Sequence, residues 1–534
     1  MPVLSETLKR LITANKGETS AKAHETEVIT VDEVAARVAS FYERIRGIVD
    51  WREEHLLRKT AIERVLKRRG LLDGSILSGE NGAEASEQFL KELIRGGHFP
   101  NGQISVQKIE TIRQILNKYI FILSSGKAND DKAGANLGGW LLPIASYEVE
   151  ITLSNREKEL GLVMFMTQDL ISRVRLKPED KNAISEDEIK LQIHVATHRA
   201  LFKMDDAVIS YHLFSSLYSD WSAPTEATLK HIALHIAEIK DLIGNTLLHP
   251  LRESFYRIAE RYDTPYLILG DVISENPDLF EGLVEDKKKL AIKIGEAYKT
   301  RLVKLKGRIR RAAFYSTLSI FLTKVLIVLA LEVPIDKYLQ GSFNYTAISM
   351  SVLIPPILML FLVINAKVTS KENLEKVKTE VEGLLNGGEK SLYYVSLPKK
   401  RRLARRLFLR LFYLVNFIIS FGLIYWLLWR LNFGPFSIMV FIFFISLVAF
   451  AGTRIQQRGR ELMIGEVKPG FILGLIDFFF LPAIELGKWL SKQLLKYNAI
   501  IFVFNFLIET PLQIFVELFE QWRIFLREKK EEIH

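Results

Sequence analysis

Four stretches of this chain are apolar for long enough to cross a lipid bilayer. They are 312–333 (AAFYSTLSIFLTKVLIVLALEV), 347–364 (AISMSVLIPPILMLFLVI), 407–429 (LFLRLFYLVNFIISFGLIYWLLW) and 435–453 (PFSIMVFIFFISLVAFAGT). A helix rising about 1.5 Å per residue needs about 20 apolar residues to cross a hydrocarbon core about 30 Å thick. Within that core every backbone N–H and C=O must be bonded inside the segment, which this pattern allows only as helix. One such run could be a buried core helix; four in succession predict a transmembrane domain over 301–453.

Charge divides the chain in the same place. Residues 1–300 hold 40 Lys/Arg against 45 Asp/Glu, a net of −5, and residues 301–534 hold 32 against 17, a net of +15. A mildly acidic half followed by a basic, Phe-rich half predicts a soluble domain ahead of a membrane domain. The positive charge lies in runs beside the apolar segments: RLVKLKGRIRR (301–311), the loop 366–406 with 11 Lys/Arg ending in KKRRLARR, and RIQQRGR (454–460). Anionic headgroups rather than nucleic acid are the partner this placement predicts. Basic loops stay cytoplasmic. The three runs agree, and the other two loops carry one basic residue each, Lys337 and Arg430. The N-terminus, the 366–406 loop and the C-terminus are therefore all expected on the cytoplasmic side. The first twenty residues lack the apolar core of a secretory signal, in keeping with that expectation.

The expected fold class is all-α. Apolar spacing of three and four predicts helices over 31–69, 84–96, 104–124, 144–174, 184–203, 225–245, 247–262 and 284–311, with Asp32 a start signal and Gly70 a stop. The tracts 73–83 and 127–139, crowded with Gly, Asn and Asp, predict loops. No alternating run predicts a strand. Behind the fourth span, 469–494 and 512–526 are amphipathic. Asp477, Glu485, Lys488 and Lys492 gather on one arc of the first, and Glu517 and Glu520 lie on one side of the second. Helices of this kind rest in the interface, so 454–534 is expected to be cytoplasmic and interfacial rather than spanning.

Chemistry-bearing residues are few. Cysteine is absent, which excludes disulfides, thiolate nucleophiles and cysteine metal ligands. No phosphate-binding Gly loop and no nucleophile elbow occurs. Two H-x-x-x-H pairs, His194/His198 and His231/His235, place imidazoles on one helix face at a spacing that suits a metal ion. The Glu of a catalytic H-E-x-x-H is missing, because Val195 and Ile232 stand there. Core histidines hydrogen-bonded among Leu191, Leu201 and Phe202 explain the first pair equally. Within the spans, Lys324 and Pro355-Pro356 stand out. An ionisable group in a membrane helix is costly and often functional, although a Lys also snorkels to the interface. The aromatic residues near Trp426–Trp429 read as an interfacial belt.

The leading expectation is a non-enzymatic membrane scaffold or tether, without a cofactor, presenting its helical domain to protein partners. One alternative is a transporter or channel whose polar path runs through Lys324, Asp477, Glu485 and Lys488. Another is a membrane-bound metalloprotein using the four histidines.

Overall fold

The computed structural model describes residues 5–20, 27–31, 54–70, 82–127, 131–154, 156–180, 184–275, 277–340, 345–364, 371–386, 392–395, 403–465 and 471–496, together with Leu518, Trp522 and Phe525. It contains two compact units. The first comprises Met1–Leu290, Glu380–Pro398 and Phe506–His534; the second comprises Ala291–Thr379 and Lys399–Asn505.

The first unit is helical from its start, with α1 (Glu6–Ser20), α2 (Glu54–Arg68), α3 (Gly82–Arg95), α4 (Gln107–Lys127), α5 (Asp131–Leu153) and α6 (Glu157–Arg173). Strand β1 (Val174–Leu176) follows. Then come α7 (Glu186–Phe202), α8 (Asp206–Leu217), α9 (Glu226–Leu247), α10 (Arg252–Arg261), α11 (Asp263–Glu275) and α12 (Phe280–Glu285). Short polar side chains start several of these. Ser185 accepts from the Glu188 N–H at 3.2 Å, Asp205 from Val208 at 3.0 Å and Thr225 from Thr228 at 3.2 Å, each satisfying an amide the first turn leaves open. Gly70, at φ 59°, follows α2 in the left-handed region that favours glycine, as its predicted stop requires. Phe89, Leu116, Leu141, Tyr147, Phe214 and Ile232 meet in one apolar core.

Several expectations change here. Most of the loop expected over 127–139 is helix instead: α5 begins at Asp131 and runs through Gly134, Gly138 and Gly139, while 128–130 lie outside the described residues. Each helical Gly costs about 1 kcal/mol relative to Ala. Leu137, Leu141 and Ile144 go into the core at 4%, 0% and 1% exposure, and that burial outweighs the penalty. The single helix expected over 144–174 is two. The chain breaks between them and buried Arg156 turns back to pair with Glu150 at 3.1 Å and Glu159 at 2.7 Å. Helices α8 and α11 had no expectation. Residues 32–53, and most of 73–83, lie outside the described residues.

Within 366–406 the described residues include α16 (Lys371–Asn386) and strand β2 (Tyr393–Val395). Strand β2 pairs parallel with β1, Val174 opposite Tyr393 and Leu176 opposite Val395. Tyr262 stacks on Tyr393 at 4.4 Å, and Arg173 faces Glu380 at 3.8 Å. This two-stranded sheet of three-residue strands leaves the all-α class standing, and no alternating run of sequence announces it. Three residues are too few to show an alternation, and the pairing exists only because a distant segment arrives.

The second unit holds the apolar helices. Helix α13 (Lys287–Ile327) enters it without a break, passes into a π-helical turn (Val328–Glu332) and continues as α14 (Val333–Gln340). Next come α15 (Tyr345–Ile364), α17 (Leu403–Arg430), α18 (Pro435–Gly459) and α19 (Phe471–Lys496). Among the described residues four helices are long and apolar enough to cross a membrane: Lys287–Tyr338, Tyr345–Ile364, Leu407–Arg430 and Pro435–Gly459. Helix α18 is the most enclosed of them, whereas α17 leaves Leu407, Phe408, Trp426 and Trp429 more than half exposed, as a lipid-facing surface would. In the same unit Asn373 ties together three parts of the chain. Its amide donates to the Tyr298 hydroxyl at 2.8 Å and the Leu462 carbonyl at 2.6 Å, and its carbonyl accepts from the Ile464 N–H at 2.9 Å.

Candidate functional site

Lys324 is fully buried in the second unit and forms an ion pair with Glu332, also at 0% exposure. The second Glu332 oxygen accepts from the Ser351 hydroxyl of α15 at 3.3 Å, and the ammonium lies 5.2 Å from the Phe444 ring centroid of α18. One turn past Glu332, Asp336 is 7% exposed and accepts from Ser437 of α18 at 2.8 Å. Its other oxygen, Oδ1, is buried without a hydrogen-bond partner. A cation, two carboxylates and two hydroxyls thus line the interior of an apolar bundle, where unpaired charge is costly. Glu332 neutralises Lys324. Pro355 adds polarity nearby, since its ring nitrogen cannot donate and leaves the Ser351 carbonyl without its intrahelical partner. Helix α15 nonetheless continues through both prolines.

Local backbone geometry brings these groups into line. In an α-helix, eight residues turn through about 800°, which would leave Glu332 about 80° around from Lys324, and Asp336 about 120° around. The π turn, in which the Val333 N–H reaches the Val328 carbonyl five residues back, takes up one extra residue. Spacings of eight and twelve then act as seven and eleven, and both carboxylates fall within about 20° of Lys324.

The other polar candidates do not join this group. Glu485 and Lys488 pair with each other at 3.4 Å on α19, and each is nearly half exposed. The side chain of Asp477 lies outside the described residues, as does 512–526 apart from three positions. Helix α19 instead packs closely on α18: a Cβ at Gly487 would fall 1.9 Å from the Ser446 carbonyl oxygen, so no larger residue fits that crossing. Asn416 of α17 donates to the Phe478 carbonyl at 3.0 Å.

In the first unit, His194 and His198 of α7 are adjacent, Nε2 to Nε2 at 3.1 Å. His198 Nδ1–H donates to the Met204 sulfur at 2.9 Å, because a thioether only accepts. In neutral His198 that leaves Nε2 as acceptor and His194 as donor. A third imidazole, His212 of α8, stacks on His198 at 4.4 Å and shares a hydrogen bond with the Tyr147 hydroxyl at 3.1 Å. Burial holds all three below the usual imidazole range, His212 at about 3. His55 of α2 is likewise lowered to about 3, by burial and then by Arg156. His231 and His235 lie side by side on α9 with their rings tilted at 31° and 4.5 Å apart, and the His235 Nδ1–H donates to the His231 carbonyl at 2.9 Å. The neighbour of the first pair is therefore His212 rather than the second pair. Among the described residues no group of three or more His, Asp or Glu has a geometry that would hold a metal ion.

Fold and site together define a class: an almost wholly helical chain with an N-terminal helical unit, four helices apolar enough to cross a membrane, and an ion pair buried among them. Comparison with protein-family models, curated proteins and solved structures returns no match.

Sequence reasoning singled out Lys324 and missed Glu332, Asp336 and Ser437. Spacings of four join 324, 328, 332 and 336, but continuous α-helix would have turned the carboxylates away. His212 was missed because it comes from a helix with no sequence expectation.

Proposed function

We propose that this chain is a membrane-held platform: its four-span bundle presents the large N-terminal helical unit, on the cytoplasmic side, to protein partners. The observation that carries the reading is the pairing of β1 with β2. Two apolar helices separate these strands in sequence, yet both strands belong to one compact unit, which supports a path in which two crossings return the chain to the side it left. That agrees with the three basic runs, which favour the cytoplasm and anionic headgroups. Helix α19 has an amphipathic outer surface, with Trp489 and Phe479 exposed alongside the half-exposed Glu485–Lys488 pair, while its Gly487 and Phe478 pack against the middles of α18 and α17.

A transporter reading needs its polar groups to converge on a path. Lys324 is instead neutralised by Glu332, while Glu485 and Lys488 pair elsewhere. The purified chain in liposomes is expected to pass protons, sodium, potassium and chloride no faster than protein-free vesicles. Flux abolished by Lys324→Leu would replace the platform with a transporter.

Topology has its own test. Reporter fusions at positions 20, 385 and 530 should all report the cytoplasmic side, and an opposite signal at 20 or 385 would break the strand-pairing argument. Photoreactive residues at the exposed Leu234 and Leu242 of α9 are expected to give discrete adducts with other proteins in native membranes.

A further inference from the structure

We infer that the first apolar helix is a two-register element, with the Lys324–Glu332 ion pair as the latch that holds the π register. In the present register the extra residue of Val328–Glu332 turns Glu332 and Asp336 toward Ser351 and Ser437. Closing that turn to ordinary α-helix restores the standard spacing and rotates Val333–Gln340 by about 100°. The positions then within about 20° of Lys324 are 331 and 335. These are Leu331 and Ile335, both apolar. Each register therefore offers the bundle a coherent face: two carboxylates opposite two serine hydroxyls, or two aliphatic side chains. Leu331 is 46% exposed in the register seen, so its apolar surface is uncommitted there. Asp336 does not hold the π register strongly, since one of its oxygens lacks a partner and the other meets a single hydroxyl. The ion pair, with Ser351 on its free oxygen, makes the larger set of side-chain contacts; Pro334, which has no N–H for the Ala330 carbonyl, favours the same register through the backbone. Removing the pair takes away the side-chain hold and shifts the balance toward the α register. This inference stands apart from the platform reading, because it concerns only how one helix turns.

The cysteine-free chain makes the test direct. A short bifunctional thiol reagent is applied in membranes to Asp336→Cys/Ser437→Cys and to Ile335→Cys/Ser437→Cys. With the latch intact the 336–437 pair is expected to cross-link and the 335–437 pair to remain largely free. In the Lys324→Leu/Glu332→Leu background, which leaves neither member of the pair alone, the ratio of 335–437 to 336–437 cross-linking should rise by about tenfold or more. Deleting Ala330 removes the extra residue, so an ordinary α-helix keeps 332 and 336 on the bundle face. In that chain the 336–437 cross-link should persist with or without the latch. An unchanged preference in the unlatched background overturns the inference. So does loss of the 336–437 cross-link in the unlatched deletion chain, which would mean that the leucines disorder the helix rather than turn it.

Discussion

Acidification from pH 7 to 5 is expected to loosen the helices around His55 and His212 by about 4 kcal/mol. Both imidazoles are held at about 3 in the fold, against 6.5 in an unfolded chain. Burial is the main cause, and Arg156 opposes protonation of both. Arg58 and Lys59 face His55 with the same sign, and Asp205 opposes them; His194 adds to the positive side at His212. As the pH falls below 6.5 the unfolded form takes up protons that the folded form refuses. Stability is thus intact above about pH 7 and drains away between 6.5 and 3, at up to about 1.4 kcal/mol per pH unit for each group. At pH 5 each contributes a loss of about 2 kcal/mol. His194 and His198, lowered in the same direction, add to it. Hydrogen exchange of the full chain in nanodiscs, corrected for intrinsic rates, should show α2 and α8 losing protection in acid. His212→Gln should flatten part of that slope. Equal protection at the two pH values would mean that these imidazoles already carry protons in the fold.

Replacing Lys324 alone by Leu is expected to cost about 3–5 kcal/mol, because Glu332 is then left charged and unpaired inside the bundle. Replacing both partners by Leu should cost far less, and is neutral or stabilising by about 1–4 kcal/mol where packing is good. The reason is desolvation: neither charge recovers from the pair all that it loses on leaving water, but a lone buried charge recovers nothing. Unfolding of each variant in bicelles, arranged as a double-mutant cycle, measures the difference. Additive losses from Lys324→Leu and Glu332→Leu would show that the two side chains do not depend on each other.

Sequence patterning made the helical class and the four apolar helices legible, for a reason peculiar to this kind of chain. Length and hydropathy together decide whether a helix can sit in lipid, and both are local properties. Caps were local as well, which is why Gly70 stops α2 as expected. The tract 127–139 failed the same reasoning. Its glycines are intrinsic helix breakers, and what overrules them is the burial of Leu137 and Leu141 against residues distant in sequence. The strand pair is not legible locally for a related reason, since three residues of β1 acquire partners only when 393–395 folds back onto them.

The candidate site divides along the same line. That Lys324 stands in an apolar run is a fact of sequence, and so is the cost of leaving it unpaired. Which carboxylate pairs with it is a tertiary matter. A spacing of eight places Glu332 on the wrong side of an α-helix, and only a single π turn, supported by Ser351 from α15 and Phe444 from α18, rotates it into reach. The histidines follow suit: spacing joined His194 to His198 because i,i+4 neighbours on one helix must meet, whereas His212 joined them through the packing of two helices, which no local periodicity encodes.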